Sequence, residues 1–165
     1  MQKKADYIII GAGVLGSSLA YYLTKKGRDV IVLERGEICD GVSSTTAALV
    51  LPSPKTPALY NQLAWKGYER FLALEEELGA DIGLQITGST MLCRAPEKMD
   101  GMKATIEVNK ENGKTLQWLT PKEICEREPI LNPEAFCGGV YCAEGGNLNP
   151  FLLVNAYIQA AKRNG

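Results

Sequence analysis

The chain of 165 residues contains no histidine. That absence removes histidine acid–base catalysis, a Ser-His-Asp triad and the commonest metal ligand together. The five cysteines (Cys39, Cys93, Cys125, Cys137 and Cys142) form an odd set without a C-x-x-C pair, so no zinc site and no disulfide framework are expected, and the thiols read as reduced and structural. No metal is expected. No run approaches the roughly 20 apolar residues of a membrane span. Aromatic residues make up only 7%, and a net charge of -1 leaves no electrostatic case for nucleic acid or an anionic membrane. Because the first strand begins within a few residues of Met1, no signal peptide is expected, and the expected location is cytoplasmic. What remains, 45% hydrophobic and 22% charged, is the profile of a soluble globular chain.

Against that background one segment carries chemistry. Ile8-Ile9-Ile10-Gly11-Ala12-Gly13-Val14-Leu15-Gly16 reads as a buried strand that stops at Gly11, exposes backbone at Gly13 and enters a helix whose Gly16 packs close to the strand. A G-x-G-x-x-G alone is a weak signal, since any glycine-rich turn between strand and helix can produce it. Its surroundings strengthen it. An apolar strand (Tyr7 to Ile10) precedes it, a helix with Leu15, Leu19, Tyr22 and Leu23 on one face follows, Gly27 supplies a stop, and Asp29 to Leu33 forms a second strand. Glu34 falls 18 residues after Gly16, where a carboxylate can accept hydrogen bonds from the two hydroxyls of an adenosine ribose. The pattern predicts a dinucleotide-binding βαβ unit, with phosphate at the positive end of the helix.

In a simple nicotinamide-binding domain a crossover helix and a third parallel strand should follow. Instead Gly41-Val42-Ser43-Ser44-Thr45-Thr46-Ala47-Ala48 is small and hydroxyl-rich, and Pro52, Pro54 and Pro57 punctuate what comes next. A long amphipathic helix is predicted with Leu59, Leu63, Phe71, Leu74 and Leu78 inward, and Glu75-Glu76-Glu77 as a solvated face. Strands are expected around Leu84 to Ile86 and Thr90 to Cys93, with Gly88 as a bend. A helix from about Pro96 to Asn112 would place Met99, Met102 and Ile106 in a core, and Thr120-Pro121-Lys122-Glu123 is a capping box that opens a short helix to about Arg127. Gly138 to Ala143 reads as another strand, and Asn149-Pro150 caps a last helix with Leu153, Ala156, Tyr157 and Ala160 inward. An α/β unit interrupted after its second strand suits a two-domain flavoprotein better than a nicotinamide domain.

The segments ADYIIIGAGVLGSSLAYYLTKKGRDVIVLERG, GVSSTTAALVLP, ITGSTMLCR, LTPKEICEREPIL and GGNLNPFLLVNAYIQAAKRNG together resemble the D-amino-acid oxidase family of FAD-dependent oxidoreductases, among them glycine oxidase, sarcosine oxidase and proline dehydrogenase-like enzymes. The resemblance spans nearly the whole chain in family order. It implies a Rossmann-like FAD-binding domain of the glutathione-reductase type, assembled from residues 1–50 and 144–165, with an inserted α+β partial substrate domain at 51–143. It implies FAD as cofactor, and oxidation of a C–N bond of a small amino acid or amine by hydride transfer to the flavin. Carried over residue by residue, Gly11, Ala12, Gly13, Val14, Leu15 and Gly16 would face the pyrophosphate, and Glu34 and Arg35 the adenosine. Ser43, Ser44 and Thr45 would bond phosphate or ribityl oxygens, and Ala47, Ala48 and Leu49 would lie near the flavin ring. One departure concerns that last group: many relatives carry glycine around position 48 or 49, where this chain has Ala48 and Leu49.

The resemblance also implies a chain about twice as long, whose later half carries most of the substrate pocket, so the fold is expected to be incomplete and no catalytic residue is assigned. Arg70, Arg94, Arg127 and Lys122 read as solvated cations. A parallel sheet with two strands cannot cover both faces, so a homo-oligomer or a partner chain that completes the fold is expected. Two other readings stand beside the first. One is an FAD-dependent hydroxy-acid oxidoreductase, and the other a non-catalytic nucleotide-binding subunit of a split enzyme.

Overall fold

The computed structural model describes residues 4–55 and 57–165. The expected first-domain segment 1–50 thus begins with three residues outside the described ones. The chain forms two compact units, one from Met1–Leu49, Phe71–Leu84 and Asn147–Gly165, the other from Val50–Arg70 and Gln85–Gly146. Phe71–Leu84 groups with the first unit although it lies within the 51–143 segment. Three of the four boundaries fall in or beside two-residue strands, β3 (Leu49–Val50), β4 (Gln85–Ile86) and β8 (Gly146–Asn147); the fourth lies inside helix α2 (Ala58–Leu78).

In the first unit, β1 (Tyr7–Ile10) and β2 (Val30–Leu33) pair in parallel, from Tyr7 opposite Val30 to Ile10 opposite Leu33. Their Ile- and Val-rich sequences favour extended backbone, and a parallel pair needs a crossover, which α1 (Val14–Thr24) provides. Gly27 closes the turn after α1 with φ 69°, and its N–H donates to the Thr24 carbonyl at 2.8 Å. Helix α5 (Pro150–Asn164) packs on α1 and buries Leu153, Ala156, Tyr157 and Ala160 as expected. The Asn149 side chain caps α5 by accepting from the N–H groups of Phe151 (3.0 Å) and Leu152 (3.2 Å).

The apolar face expected for α1 is corrected. Leu15 and Leu19 are 83% and 50% exposed, whereas Ser17, Ala20, Tyr21 and Thr24 are buried. Small side chains let α1 approach α5 closely, and the Ser17 and Thr24 hydroxyls satisfy themselves on the carbonyls of Val14 and Tyr21. Burial of β1 is one-sided as well: Ile9 is buried, but Ile8 and Ile10 are 64% and 86% exposed. Of the acidic run only Glu76 is exposed as expected; Glu77 accepts from Tyr21 Oη (3.0 Å) and Lys25 Nζ (2.7 Å), and Glu75 accepts from the Ile82 N–H (3.0 Å).

In the second unit, β5 (Ser89–Cys93), β7 (Gly138–Cys142) and β6 (Leu116–Leu119) form an antiparallel sheet with β7 in the centre. Strand β6 has no counterpart in the sequence reading; its four residues fill the gap between the Asn112-Gly113 stop and the Thr120 cap. Helix α3 (Met99–Glu111) follows one 3-10 turn at Pro96–Lys98, and α4 (Pro121–Arg127) starts on the expected capping box, where the Thr120 N–H donates to Glu123 at 2.7 Å.

A polar network decides which way α2 and α3 turn in this unit. Asn109 is fully buried; its Oδ1 accepts from Asn61 Nδ2 (3.1 Å) and Trp65 Nε1 (2.8 Å), and its Nδ2 donates to the carbonyls of Ser53 (3.1 Å) and Thr105 (2.7 Å). Asn61 is buried too, and Asn112 Nδ2 donates to its Oδ1 at 2.8 Å. With Asn61, Trp65 and Tyr68 inward, Leu59 and Leu63 are 72% and 65% exposed, which corrects the first half of the expected leucine face, whereas Leu74 and Leu78 are buried as expected. Met99, Met102 and Ile106 are only half-buried; the buried residue of α3 is Asn109.

Truncating Asn109 leaves buried donors and an indole N–H without partners. Asn109→Ala is expected to destabilise the second unit by about 3 kcal/mol, and Asn112→Ala, at the rim, by about 1 kcal/mol. Urea unfolding followed by tryptophan fluorescence checks both, since Trp65 and Trp118 lie in this unit; equal effects would refute the ranking.

Candidate functional site

The first unit opens a groove of about 660 Å³ at the end of β1, between the Gly11–Gly16 turn, the end of β2 and the Asp40–Ser43 segment. Gly11 has φ 103°, a conformation that disfavours side chains, and its N–H donates to the Leu33 carbonyl at 2.8 Å. At Gly16 a Cβ would stand 1.9 Å from the Gly11 carbonyl oxygen and 3.3 Å from Ile9 Cγ2, so only glycine lets α1 start this close to the strand. At Gly13 a Cβ would meet Ser43 Oγ at 3.0 Å.

The free N–H groups at the start of α1 need acceptors. No acidic residue lies in its first turn and Gly13 brings no side chain, but Ser43 Oγ, 29 residues on, accepts from the Val14 N–H at 3.0 Å. Glu34 does the same for the turn itself. Its Oε2 accepts from the Ala12 N–H at 2.7 Å, while Oε1 accepts from the N–H groups of Arg35 (2.7 Å) and Gly36 (3.1 Å). These bonds, the one from Ala12 first, hold the Glu34 carboxyl below its ordinary pKa.

Gly11, Gly13, Val14, Leu15, Gly16, Glu34, Arg35 and Ser43 all line the groove. Ala12 does not: it is 2% exposed and packs with Cys39, Val154 and Ile158, and its carbonyl accepts from the Cys39 N–H at 3.2 Å. Burial raises the Cys39 thiol pKa, in keeping with a structural role. Ser44, Thr45, Ala47, Ala48 and Leu49 lie outside the lining. The Ser44 and Thr45 hydroxyls turn back onto the carbonyls of Gly41 (2.7 Å) and Val42 (3.2 Å). Ala48 adopts φ 56°, unusual for a residue with a side chain. Six lining residues escape the site expectation: Ile10 and Leu33, the last residues of β1 and β2, and Gly36, Asp40, Gly41 and Val42, which the segment after β2 brings there with no local motif to mark them.

Bare backbone at Gly11 and Gly13, the positive end of an eleven-residue helix and an acidic residue at the end of the neighbouring strand fit the pyrophosphate and ribose of a dinucleotide. The fold and groove are those of an α/β protein with its ligand-sized opening at a strand-to-helix turn. Residues 6–165 match the family described as FAD dependent oxidoreductase, the D-amino-acid oxidase family, and the chain belongs to it. It is 32% identical over 164 residues to mitochondrial dimethylglycine dehydrogenase of Rattus norvegicus, covering 98% of this chain and 19% of that protein. It is 28% identical over 163 residues to the mitochondrial pyruvate dehydrogenase phosphatase regulatory subunit of Mus musculus, covering 98% and 18%. The crystal structure of glycine oxidase from Geobacillus kaustophilus superposes with a TM-score of 0.90 at 30% identity, over 99% of this chain and 46% of that one. The chain thus spans about a fifth to a half of the relatives' length. No helix among the described residues is long and apolar enough to cross a membrane.

Because the folded pKa of Glu34 is depressed, its bonds stabilise the folded chain above the unfolded value of about 4.3 and lose that contribution as pH falls through the folded pKa. Melting temperature measured against pH is therefore expected to fall more steeply below about pH 4.5 for the wild type than for Glu34→Gln. Parallel curves would show that the three bonds contribute nothing.

Proposed function

We propose that this chain is the FAD-binding part of a flavoenzyme that oxidises the C–N bond of a small amino acid or amine. The observation that carries the reading is the convergence of Gly11, Gly13, the first amides of α1, Ser43 and Glu34 on one groove. The glycine turn would take the pyrophosphate, with Val14 N–H and Ser43 exchanging their mutual bond for phosphate oxygens. Glu34 would take the adenosine ribose and Arg35 the adenine side. Ser44, Thr45, Ala47, Ala48 and Leu49 are proposed for the ribityl and ring end. FAD, when bound, supplies the hydride acceptor. Residues 1–50 with 144–165 would form the Rossmann-like, glutathione-reductase-type domain, and 51–143 part of an inserted substrate domain. The exposed Ile8, Ile10 and Leu33 mark where further strands or a second chain would cover β1 and β2.

The 28% identity to a phosphatase regulatory subunit favours a second reading, a nucleotide-binding subunit without turnover. The intact protein separates the two. A flavin spectrum bleached anaerobically by glycine, sarcosine or proline, and unmoved by hydroxy acids, supports the enzyme; a bound flavin that no amine bleaches supports the subunit; no flavin, even after adding FAD, refutes both. Ser43→Ala is expected to weaken FAD binding about tenfold, the equivalent of about 1.4 kcal/mol for one hydrogen bond, and fluorescence titration with FAD measures it.

A further inference from the structure

The sheet of the second unit carries its own concavity, a groove of about 550 Å³ along the edge of β5 and β7. Thr90 on β5 stands directly opposite Tyr141 on β7, and both line the groove with Leu92. Arg127, the last residue of α4, lies with its guanidinium carbon 4.3 Å from the centre of the Tyr141 ring. Stacking of this kind holds the guanidinium plane in place and leaves its N–H edge open. The carboxylate one turn earlier, Glu123, would ordinarily compete for that edge. Here it is engaged by the Thr120 N–H and hydroxyl, both at 2.7 Å, and it acts on Arg127 through charge without an ion-pair contact. Among the described residues Arg127 has no ion pair or hydrogen bond, and the Thr90 and Tyr141 hydroxyls likewise have no hydrogen-bond partner. Gly88, at φ 75°, makes room for the Tyr141 hydroxyl, which would stand 2.9 Å from a Cβ there.

The groove is therefore lined by a guanidinium held against a ring, two hydroxyls without a hydrogen bond, the carboxylate residue Glu128 next to Arg127 in the chain, and the apolar Leu92 and Ile130, the latter 92% exposed. A simple anion would meet repulsion from Glu128, and a simple cation repulsion from Arg127. A ligand with both charges on one carbon satisfies both.

We infer that this groove binds an amino acid with an apolar side chain: its carboxylate on Arg127 and Thr90, its ammonium on Glu128, and its side chain along Leu92 and Ile130. The site lies wholly in the second unit and does not rest on the flavin assignment.

Calorimetric titration of the intact protein with L-leucine, 4-methylpentanoate (no ammonium) and isoamylamine (no carboxylate) tests it, with flavin absorbance and melting temperature recorded for each variant. Leucine is expected to bind at least tenfold more tightly than either analogue. Arg127→Gln should weaken leucine at least tenfold with melting temperature unchanged, and Glu128→Gln should bring leucine down to the level of 4-methylpentanoate. No leucine binding, equal binding of isoamylamine, or full affinity in Arg127→Gln overturns the proposal. If Arg127→Gln lowers the melting temperature, Glu128→Gln decides: unchanged leucine affinity overturns the site. A protein that holds no flavin yet binds leucine in this pattern upholds it while refuting the nucleotide reading.

Discussion

Everything in the first unit depends on how closely Gly16 approaches the Gly11 carbonyl. A Cβ there would stand 1.9 Å from the oxygen, far inside contact distance, so the helix begins where it does only because position 16 has no side chain. The close start aims the first amides of α1 at the groove instead of over it. It also brings Ile9 under the helix, so that this one residue of β1 is buried while its neighbours on either side are not. Turn, helix direction and groove floor are thus one constraint met by three glycines.

Around that turn the protein supplies its own acceptors. Ser43 and Glu34 occupy, with a hydroxyl and a carboxylate, the N–H groups that a phosphorylated ligand would otherwise have to satisfy. The Ala12 and Val14 amides are thus paired within the chain, so a ligand that took either of them would exchange one hydrogen bond for another, and the net gain at that amide would be modest.

What was legible in the sequence followed from local chemistry. The glycine turn, both parallel strands, the Thr120 capping box and the Asn149 cap declare themselves within a few residues, and the structure has each of them. Helix faces were legible for α5 and for Leu74 and Leu78 of α2, but not for α1 or the start of α2, and the reason is specific. Leucines at helical spacing suggested that Leu15, Leu19, Leu59 and Leu63 point inward, yet α1 buries Ser17 and Ala20 to approach α5, and α2 buries Asn61 to reach Asn109. In both cases a partner more than 40 residues away in sequence decides the rotation of the helix. The same kind of separation hid the role of Glu77, whose partners Tyr21 and Lys25 lie 56 and 52 residues away, and a shorter one, 29 residues, hid the pairing of Val14 with Ser43. In the hydroxyl-rich segment the family resemblance pointed at six residues, Ser43, Ser44, Thr45, Ala47, Ala48 and Leu49, and the backbone brings only Ser43 of these to the groove.

The division of the chain bears on how it becomes a protein at all. Its path passes between the two units four times, so neither unit is a continuous stretch of polypeptide. Within this chain α1 is made well before α5, the helix on which it packs. Until then the nascent helix and the apolar strands beside it have nothing to pack on, and closing the long intervening loop must precede any gain from their contact. Docking of α5 on α1 therefore depends on closing that loop. The same threading means that no single cut yields a free-standing half, which makes proteolysis in the connecting segments damaging to both units at once.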